Sequence, residues 1–269
     1  MTLREAISVL AEAGIESAEH DARELFRAFA GAGSYISREL DSTEPQLIRA
    51  VERRAAREPL QYIIGRVGFY REEYKVDPSV LIPRSDTEHL VDYAVGHIPC
   101  GESFIDLCTG SGCVAISTLK NTRETSAVAV DISASALSVA AENARELGVS
   151  DRLTLIEGDA LDKEVWGQLR PYAVLSNPPY VSEAAYEALE PEIYREPRCA
   201  FVGGVDGGDF YRALIPMAKD VIKPEGFIAF EIGYDQRELI LSLAAEHSLF
   251  AEVIKDYSGN DRVAVLRPL

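Results

Sequence analysis

The sequence predicts an α/β protein: a mostly parallel sheet with helices on both faces, preceded by a small helical bundle and an extended hairpin. Three observations carry this. From about Thr87 onward, short apolar runs alternate with helix-like segments, the pattern of repeated strand–helix units. Before residue 67 the apolar residues recur at helical spacing. Between the two stretches, from Val67 to Ile82, apolar and charged residues alternate as in paired strands.

The first helix begins at a Thr2–Glu5 capping box and places Leu3, Ile7 and Leu10 on one face. A second fits Ala18 to Phe29, with Ala22, Leu25, Phe26 and Phe29 as its stripe. A third, capped by Thr43 and Gln46, buries Leu47, Val51 and Ala55. The strands that follow are Phe104–Leu107, Ala127–Val130, Leu153–Ile156, Tyr172–Ser176, Gly226–Ile232, Phe250–Ile254 and Arg262–Leu266. A helix from Ala134 to about Leu147 repeats Leu137, Ala140, Ala141 and Ala144, and Gly148 is placed to stop it. The short 256–260 connection joins the last two strands as an antiparallel hairpin.

Composition narrows the function. The formal net charge is −17, which opposes tight, sequence-independent binding of nucleic acid phosphates. No apolar run approaches the roughly 20 residues that span a bilayer, and the amino terminus has no apolar signal core, so a cytoplasmic address is expected. Cys100, Cys108, Cys113 and Cys199 show neither CxxC spacing nor nearby histidines. They are expected to be buried thiols and not a zinc site.

The chemistry-bearing residues fall at predicted carboxyl ends of strands. Asp106-Leu107-Cys108-Thr109-Gly110-Ser111-Gly112-Cys113 joins a strand to a helix, and its glycines let a ligand approach the backbone. The segment lacks both the third glycine of a dinucleotide fingerprint and the lysine of a phosphate loop. Asp131 ends the next strand, where a carboxylate can accept two ribose hydroxyls, and Asp159-Ala160 follows the third. Asn177-Pro178-Pro179-Tyr180 follows the fourth. The prolines stiffen the backbone. They leave the Asn177 oxygen and the Pro178 carbonyl as acceptors beside an aromatic ring, a pocket for a planar group bearing NH2. That group is either an amide or an amino-substituted base.

Taken in order, Asp106, Gly110, Gly112, Asp131, Asp159 and Asn177 resemble the S-adenosylmethionine-dependent methyltransferase superfamily. The resemblance implies a Rossmann-like, seven-stranded sheet and S-adenosyl-L-methionine as cofactor, with S-adenosyl-L-homocysteine as product. It assigns methionine-end contacts to Cys108, Thr109, Gly110, Ser111 and Gly112, the ribose to Asp131 and the adenine to Asp159 and Ala160, with Asp106 and Asn177 also at the cofactor. Further segments are similar to the HemK/PrmC family of protein-(glutamine-N5) methyltransferases: Arg57–Gly65, Val80–Glu88, Glu196–Ala200, Gly203–Gly207, Glu231–Gly233 and Asp256–Val263. Two positions depart from that pattern, Ser85 where the family usually has proline and Cys108 where glycine is common.

That resemblance implies three parts: a helical substrate-binding domain at 1–66, a hairpin or extended linker at 67–84 and the catalytic domain at 85–269. The substrate it implies is a peptide chain release factor, methylated on the glutamine amide nitrogen of its Gly-Gly-Gln loop. The amide is held by Asn177, Pro178, Pro179 and Tyr180, in a cleft to which the helical domain and linker contribute. Arg84 with Glu88 would brace that cleft or close an ordinary ion pair at the domain junction. Glu58 and Gln61 are expected to make interdomain contacts, and Glu196, Glu231 and Arg262 to act as support. The rival substrates are a ribosomal-protein glutamine and, less compatibly with the acidic charge, the N6 of adenine in nucleic acid. A ribosome-associated binding protein without activity would have no need of the Asn-Pro-Pro-Tyr segment. No metal, membrane or direct nucleic-acid partner is expected, and a monomer is favoured.

Overall fold

The computed structural model describes residues 1–30, 45–166 and 168–269. Two compact units are present, one of Met1–Arg66 with Glu190–Arg195, the other of Val67–Leu189 with Glu196–Leu269.

The smaller unit is helical: α1 Leu3–Glu12, α2 Ala18–Phe29, α3 Pro45–Ala55 and α4 Leu60–Ile64. The capping box forms, with the Glu5 N–H donating to Thr2 Oγ1 at 3.1 Å and the Thr2 N–H to Glu5 Oε2 at 2.7 Å. Leu3, Leu10, Leu25, Phe26, Leu47 and Val51 meet in its core. The expected cap at Thr43 lies outside the described residues. Arg54, on the buried face of α3, donates to Asp21 of α2 at 2.7 Å and to Glu192 at 3.0 Å. A buried guanidinium needs such partners, and this one draws the 190–195 segment into the helical unit. Glu58, expected to reach across domains, instead pairs with Arg53 inside this unit.

The larger unit opens with a two-stranded hairpin, β1 Arg66–Phe69, whose first residue still counts with the smaller unit, and β2 Glu72–Lys75. Its turn takes Tyr70 through φ 58°. Then come α5 Glu88–His97, β3 Ser103–Leu107, α6 Cys113–Asn121, β4 Ser126–Asp131, α7 Ala134–Glu146, β5 Leu153–Glu157 and α8 Lys163–Trp166. The chain continues through β6 Ala173–Ser176, α9 Glu183–Tyr186, α10 Asp209–Val221, β7 Phe227–Glu231, α11 Arg237–Glu246, β8 Leu249–Lys255 and β9 Asp261–Pro268. The main sheet has seven strands in the order β5-β4-β3-β6-β7-β9-β8. All neighbours pair in parallel except those of β9, which runs antiparallel to both β7 and β8.

Alternation along the strands explains the layers, since successive side chains point to opposite faces. Phe104, Leu175 and Ala229 enter a core shared with Leu90, Val114 and Ile116. Ile105, Val174 and Ile228 enter the opposite core with Trp166, Leu214 and Ile240. Both faces are therefore covered, as a parallel sheet requires.

The cysteine expectation is corrected. Cys113 is buried and Cys108 intermediate, but Cys100 and Cys199 are exposed, because each sits in a loop outside the two sheet cores. Among the described residues no helix is long and apolar enough to cross a membrane.

Candidate active site

The strand order reverses direction at β3: β4 lies on one side and β6 on the other. Loops leaving the carboxyl ends of these strands diverge there and open a crevice. A cavity of about 230 Å³ occupies it, lined by Gly110, Asp131, Ile132, Asp159, Ala160, Leu161, Asn177 and Pro179 among others. A smaller recess of about 40 Å³ is lined by Arg84, Thr87, Asp106, Thr109, Ser111 and Val114. Cys108, Gly110 and Asn177 line both hollows, so they stand at the junction.

The glycine turn is built around Asp106. Its Oδ2 accepts from the Thr109 hydroxyl at 2.6 Å and from the Ala115 N–H at 3.1 Å, closing the loop onto the start of α6. Burial pushes the Asp106 carboxyl up to about 7 against the lowering effect of those two donors. Cys108 adopts φ 58°, the left-handed conformation for which glycine is the usual choice. Gly112, at φ 80°, also has no room for a side chain: a Cβ there would meet Ile116 Cδ1 at 2.8 Å. Asn143 of α7 braces the loop from behind, donating to the Ser111 carbonyl at 2.9 Å.

Asp131 faces the same turn. Its Oδ2 accepts from the Gly110 N–H at 2.8 Å and its Oδ1 from the Ser133 N–H at 2.9 Å. Each oxygen keeps a further lone pair, and burial raises the carboxyl's pKa. Asp159 Oδ1 accepts from the Leu161 N–H at 2.9 Å, shaping the wall made by Ala160 and Leu161. Among the described residues, two carboxylates and no lysine or arginine line the larger cavity.

Asn177 leaves the end of β6 and donates through Nδ2 to Thr87 Oγ1 at 3.2 Å. Pro179 lines the larger cavity, whereas neither Pro178 nor Tyr180 lines either hollow. Tyr180 is held by its hydroxyl, which donates to Glu231 Oε1 at 3.0 Å, and by its carbonyl, which accepts from Gln236 Nε2 at 3.0 Å. Its backbone and that of Pro179 are packed by glycines. A Cβ on Gly203 would stand 2.3 Å from the Pro179 oxygen, and one on Gly207 2.1 Å from the Tyr180 oxygen.

One expected pairing differs. Arg84 pairs with Glu196 and not with Glu88, whose Oε1 accepts from the Tyr70 N–H at 2.7 Å. Glu196 also accepts from the Ile82 N–H at 2.9 Å, so this buried carboxylate ties down the segment before α5. Arg262 joins Asp256 at 3.1 Å and Asp86 at 3.2 Å. Thr87 was missed at the sequence level: it stands at the start of α5 without a side-chain cap bond, and its hydroxyl accepts from Asn177 instead.

Residues 2–65 match the family model of the PrmC N-terminal domain, and residues 88–196 that of the methyltransferase small domain. The chain is 43% identical over 218 residues to the release factor glutamine methyltransferase of Moorella thermoacetica, covering 80% of this chain and 76% of that one. It is 39% identical over 263 residues to the protein of the same name from Geobacter sulfurreducens, covering 94% and 91%. Among solved structures it resembles a ribosomal protein L11 methylase from Lactobacillus delbrueckii subsp. bulgaricus. That match has a TM-score of 0.52 and 22% identity over 72% of this chain and 84% of that one, a likeness of fold.

Proposed function

The chain belongs to the release factor glutamine methyltransferase family, and from that premise we propose that it methylates a glutamine side-chain amide nitrogen (N5) of a peptide chain release factor. The methyl donor is S-adenosyl-L-methionine. The observation that carries the reading is the junction of the two hollows, where Asn177 meets the glycine turn.

The residues fit that cofactor. It carries a sulfonium cation and no phosphate, and the larger cavity offers Asp131 and Asp159 without a lysine or arginine. A dinucleotide would leave its phosphates facing carboxylates. The spare lone pairs of Asp131 suit ribose hydroxyls, and Ile132, Ala160 and Leu161 supply apolar walls for the adenine. Asp106, Thr109 and Ser111 line the adjoining recess, the side on which the methionine portion would lie. When bound, the cofactor supplies an electrophilic methyl group.

The chain's own residues supply position and polarity. An amide nitrogen is a poor nucleophile because its lone pair is delocalised into the carbonyl. Asn177 Nδ2 is engaged by Thr87, which leaves Oδ1 to accept an N–H of the glutamine amide. The family resemblance gives the second acceptor as the Pro178 carbonyl, next in the chain to Asn177 although Pro178 itself lines neither hollow. Hydrogen bonds taken from both N–H groups return electron density to nitrogen and aim it. Such positioning is able to remove roughly 7–11 kcal/mol of barrier. No strong base is required, because the nitrogen becomes acidic as the new bond forms and sheds its proton then.

The test is incubation of the protein with methyl-labelled cofactor and, separately, a release factor, ribosomal protein and DNA, followed by mass-spectrometric mapping of the label. Label on the release-factor glutamine is the expected result. Label on adenine, on a ribosomal-protein glutamine alone, or on no glutamine overturns the reading.

A further inference from the structure

The Asn-Pro-Pro-Tyr segment is poorly equipped to hold itself in place. Pro178 and Pro179 have no N–H to give, and their rings stiffen the chain between Asn177 and Tyr180. Such a segment behaves as a short rod whose aim is set at its ends. Upstream, the Ser176 hydroxyl donates to the Leu107 carbonyl at 2.6 Å and ties the rod to the end of β3. Downstream, the Tyr180 carbonyl accepts from Gln236 Nε2 at 3.0 Å, a contact that the proposed chemistry has not used.

Gln236 precedes α11 but does not cap it with its side chain. It is 7% exposed, so its amide must find partners within the protein. Nε2 donates to two carbonyls, that of Tyr180 and, at 3.2 Å, that of Gly207. Oε1 accepts from the Gly233 N–H at 2.9 Å and from the Tyr211 hydroxyl of α10 at 3.2 Å. The orientation of the amide is thereby fixed. Carbonyls only accept and an N–H only donates, so a flipped amide loses partners at both ends. Four segments meet at this one side chain: the acceptor segment, the 203–207 loop, the chain leaving β7 and α10. Glycines close it in from two directions, since a Cβ on Gly207 would stand 2.9 Å from Nε2 and one on Gly233 3.0 Å from Oε1.

We propose that Gln236 is a positioning residue for methyl transfer: its amide fixes the main chain at Tyr180 and so aims the Asn177 and Pro178 acceptors. The inference rests on the glutamine-acceptor reading above. Gln236 lines neither hollow, so it acts through Tyr180. A shift of the Tyr180 carbonyl is passed along the two prolines, whose φ angles do not relax to absorb it. The Tyr180 hydroxyl is held separately by Glu231, so the ring and the main chain have independent anchors.

The experiment compares wild type, Gln236→Glu, Gln236→Met and Tyr211→Phe in steady-state methylation of a release factor across a range of pH, with cofactor affinity and stoichiometry measured by calorimetry on each. Gln236→Met keeps the length and removes the polar contacts. Gln236→Glu sets an acceptor against two carbonyls when ionised and regains one O–H donor when protonated. A positioning role predicts that at alkaline pH both lose about 10- to 100-fold in kcat. Cofactor stoichiometry stays at the wild-type value and affinity within about twofold. Relative to wild type, the kcat of Gln236→Glu climbs as the pH falls and the introduced carboxyl takes up its proton, whereas that of Gln236→Met stays flat. A purely structural role predicts losses of kcat matched by equal losses of cofactor stoichiometry, and that result overturns the inference. A Gln236→Glu profile parallel to wild type overturns it as well. An active wild type with undiminished kcat in both Gln236 variants does the same, while leaving the glutamine reading intact. An inert wild type overturns both. Should neither Gln236 variant fold, Tyr211→Phe, which removes one donor to Oε1, decides alone: undiminished kcat overturns the inference, and a lower kcat at full cofactor stoichiometry supports it.

Discussion

Replacing Gly203 by alanine tests whether the acceptor segment is held in place by backbone packing from outside the cavity. Gly203 does not line either hollow, and its N–H donates to the Val181 carbonyl at 2.9 Å. Its backbone is not in the left-handed region, so alanine adds no torsional strain and the perturbation is steric. The added Cβ would lie 2.3 Å from the Pro179 oxygen, and reaching even a 3.0 Å contact parts the two backbones by about 0.7 Å. Neither partner is a flexible side-chain tip. Misplacement of catalytic groups by about 1 Å can cost 10²-fold, so kcat should fall about 10- to 100-fold. Overpacking costs about 1–3 kcal/mol, and a unit of this size loses about 2–4 °C of Tm for each. Cofactor affinity should hold, because Gly110, in the turn between β3 and α6, and Asp131, at the end of β4, lie outside the displaced loop. Gly68→Ala, where a Cβ meets nothing within 4 Å, is the control. A Gly203→Ala protein with kcat and Tm both at wild-type values would refute the packing argument.

Three further outcomes are expected. Asn177→Ala should abolish methyl transfer and leave cofactor affinity within a few-fold by calorimetry; equal loss of both would remove Asn177 from the acceptor role. Asp106 has a folded-state pKa near 7, above its ordinary value of 3.8, so its burial costs nothing below pH 4 and its full penalty only above about pH 7. Asp106→Asn does not titrate, so its Tm relative to wild type, scanned without cofactor, should rise between pH 4 and 8; a flat difference rules out the buried charge. Gly96 lies within α5 with open space where a Cβ would go, and Gly96→Ala should stabilise by about 0.5–1 kcal/mol, read as a higher urea midpoint.

The sheet was legible because its strands are continuous apolar runs ending in chemistry-bearing residues. Leu153, Ala173, Phe227 and Leu249 begin or nearly begin strands where the hydrophobic pattern changes. The Thr2–Glu5 box and the Gly148 stop were legible for a local reason, since caps involve neighbours in sequence. What escaped notice depends on partners distant in the chain. Arg54 reads as one charge in a basic run and is instead buried against Asp21, 33 positions away. Arg84 sits four residues from Glu88, a natural helical pair, but a carboxylate 112 positions downstream takes it. The Gly203–Gly207 segment carried the family resemblance without a reason; the reason is steric and lies in the carbonyls of Pro179 and Tyr180. Thr87 carried no signal of its own in the sequence, because the amide its hydroxyl accepts from, that of Asn177, lies 90 positions on.

The place of β9 bears on how the catalytic unit assembles. It follows β8 in sequence yet sits between β7 and β8, so β8 touches the sheet only through β9. The two can zip together first, since a short turn joins them, and then dock as a finished ribbon onto the bare edge of β7. Until they do, β7 ends in an open row of backbone donors and acceptors, the kind of edge that recruits stray strands. Docking pairs Glu231 with Val263 and brings Arg262 beside Asp86. The β8–β9 ribbon thus completes the edge of the sheet beside Glu231, and a chain that lacks it leaves the β7 edge open to other strands.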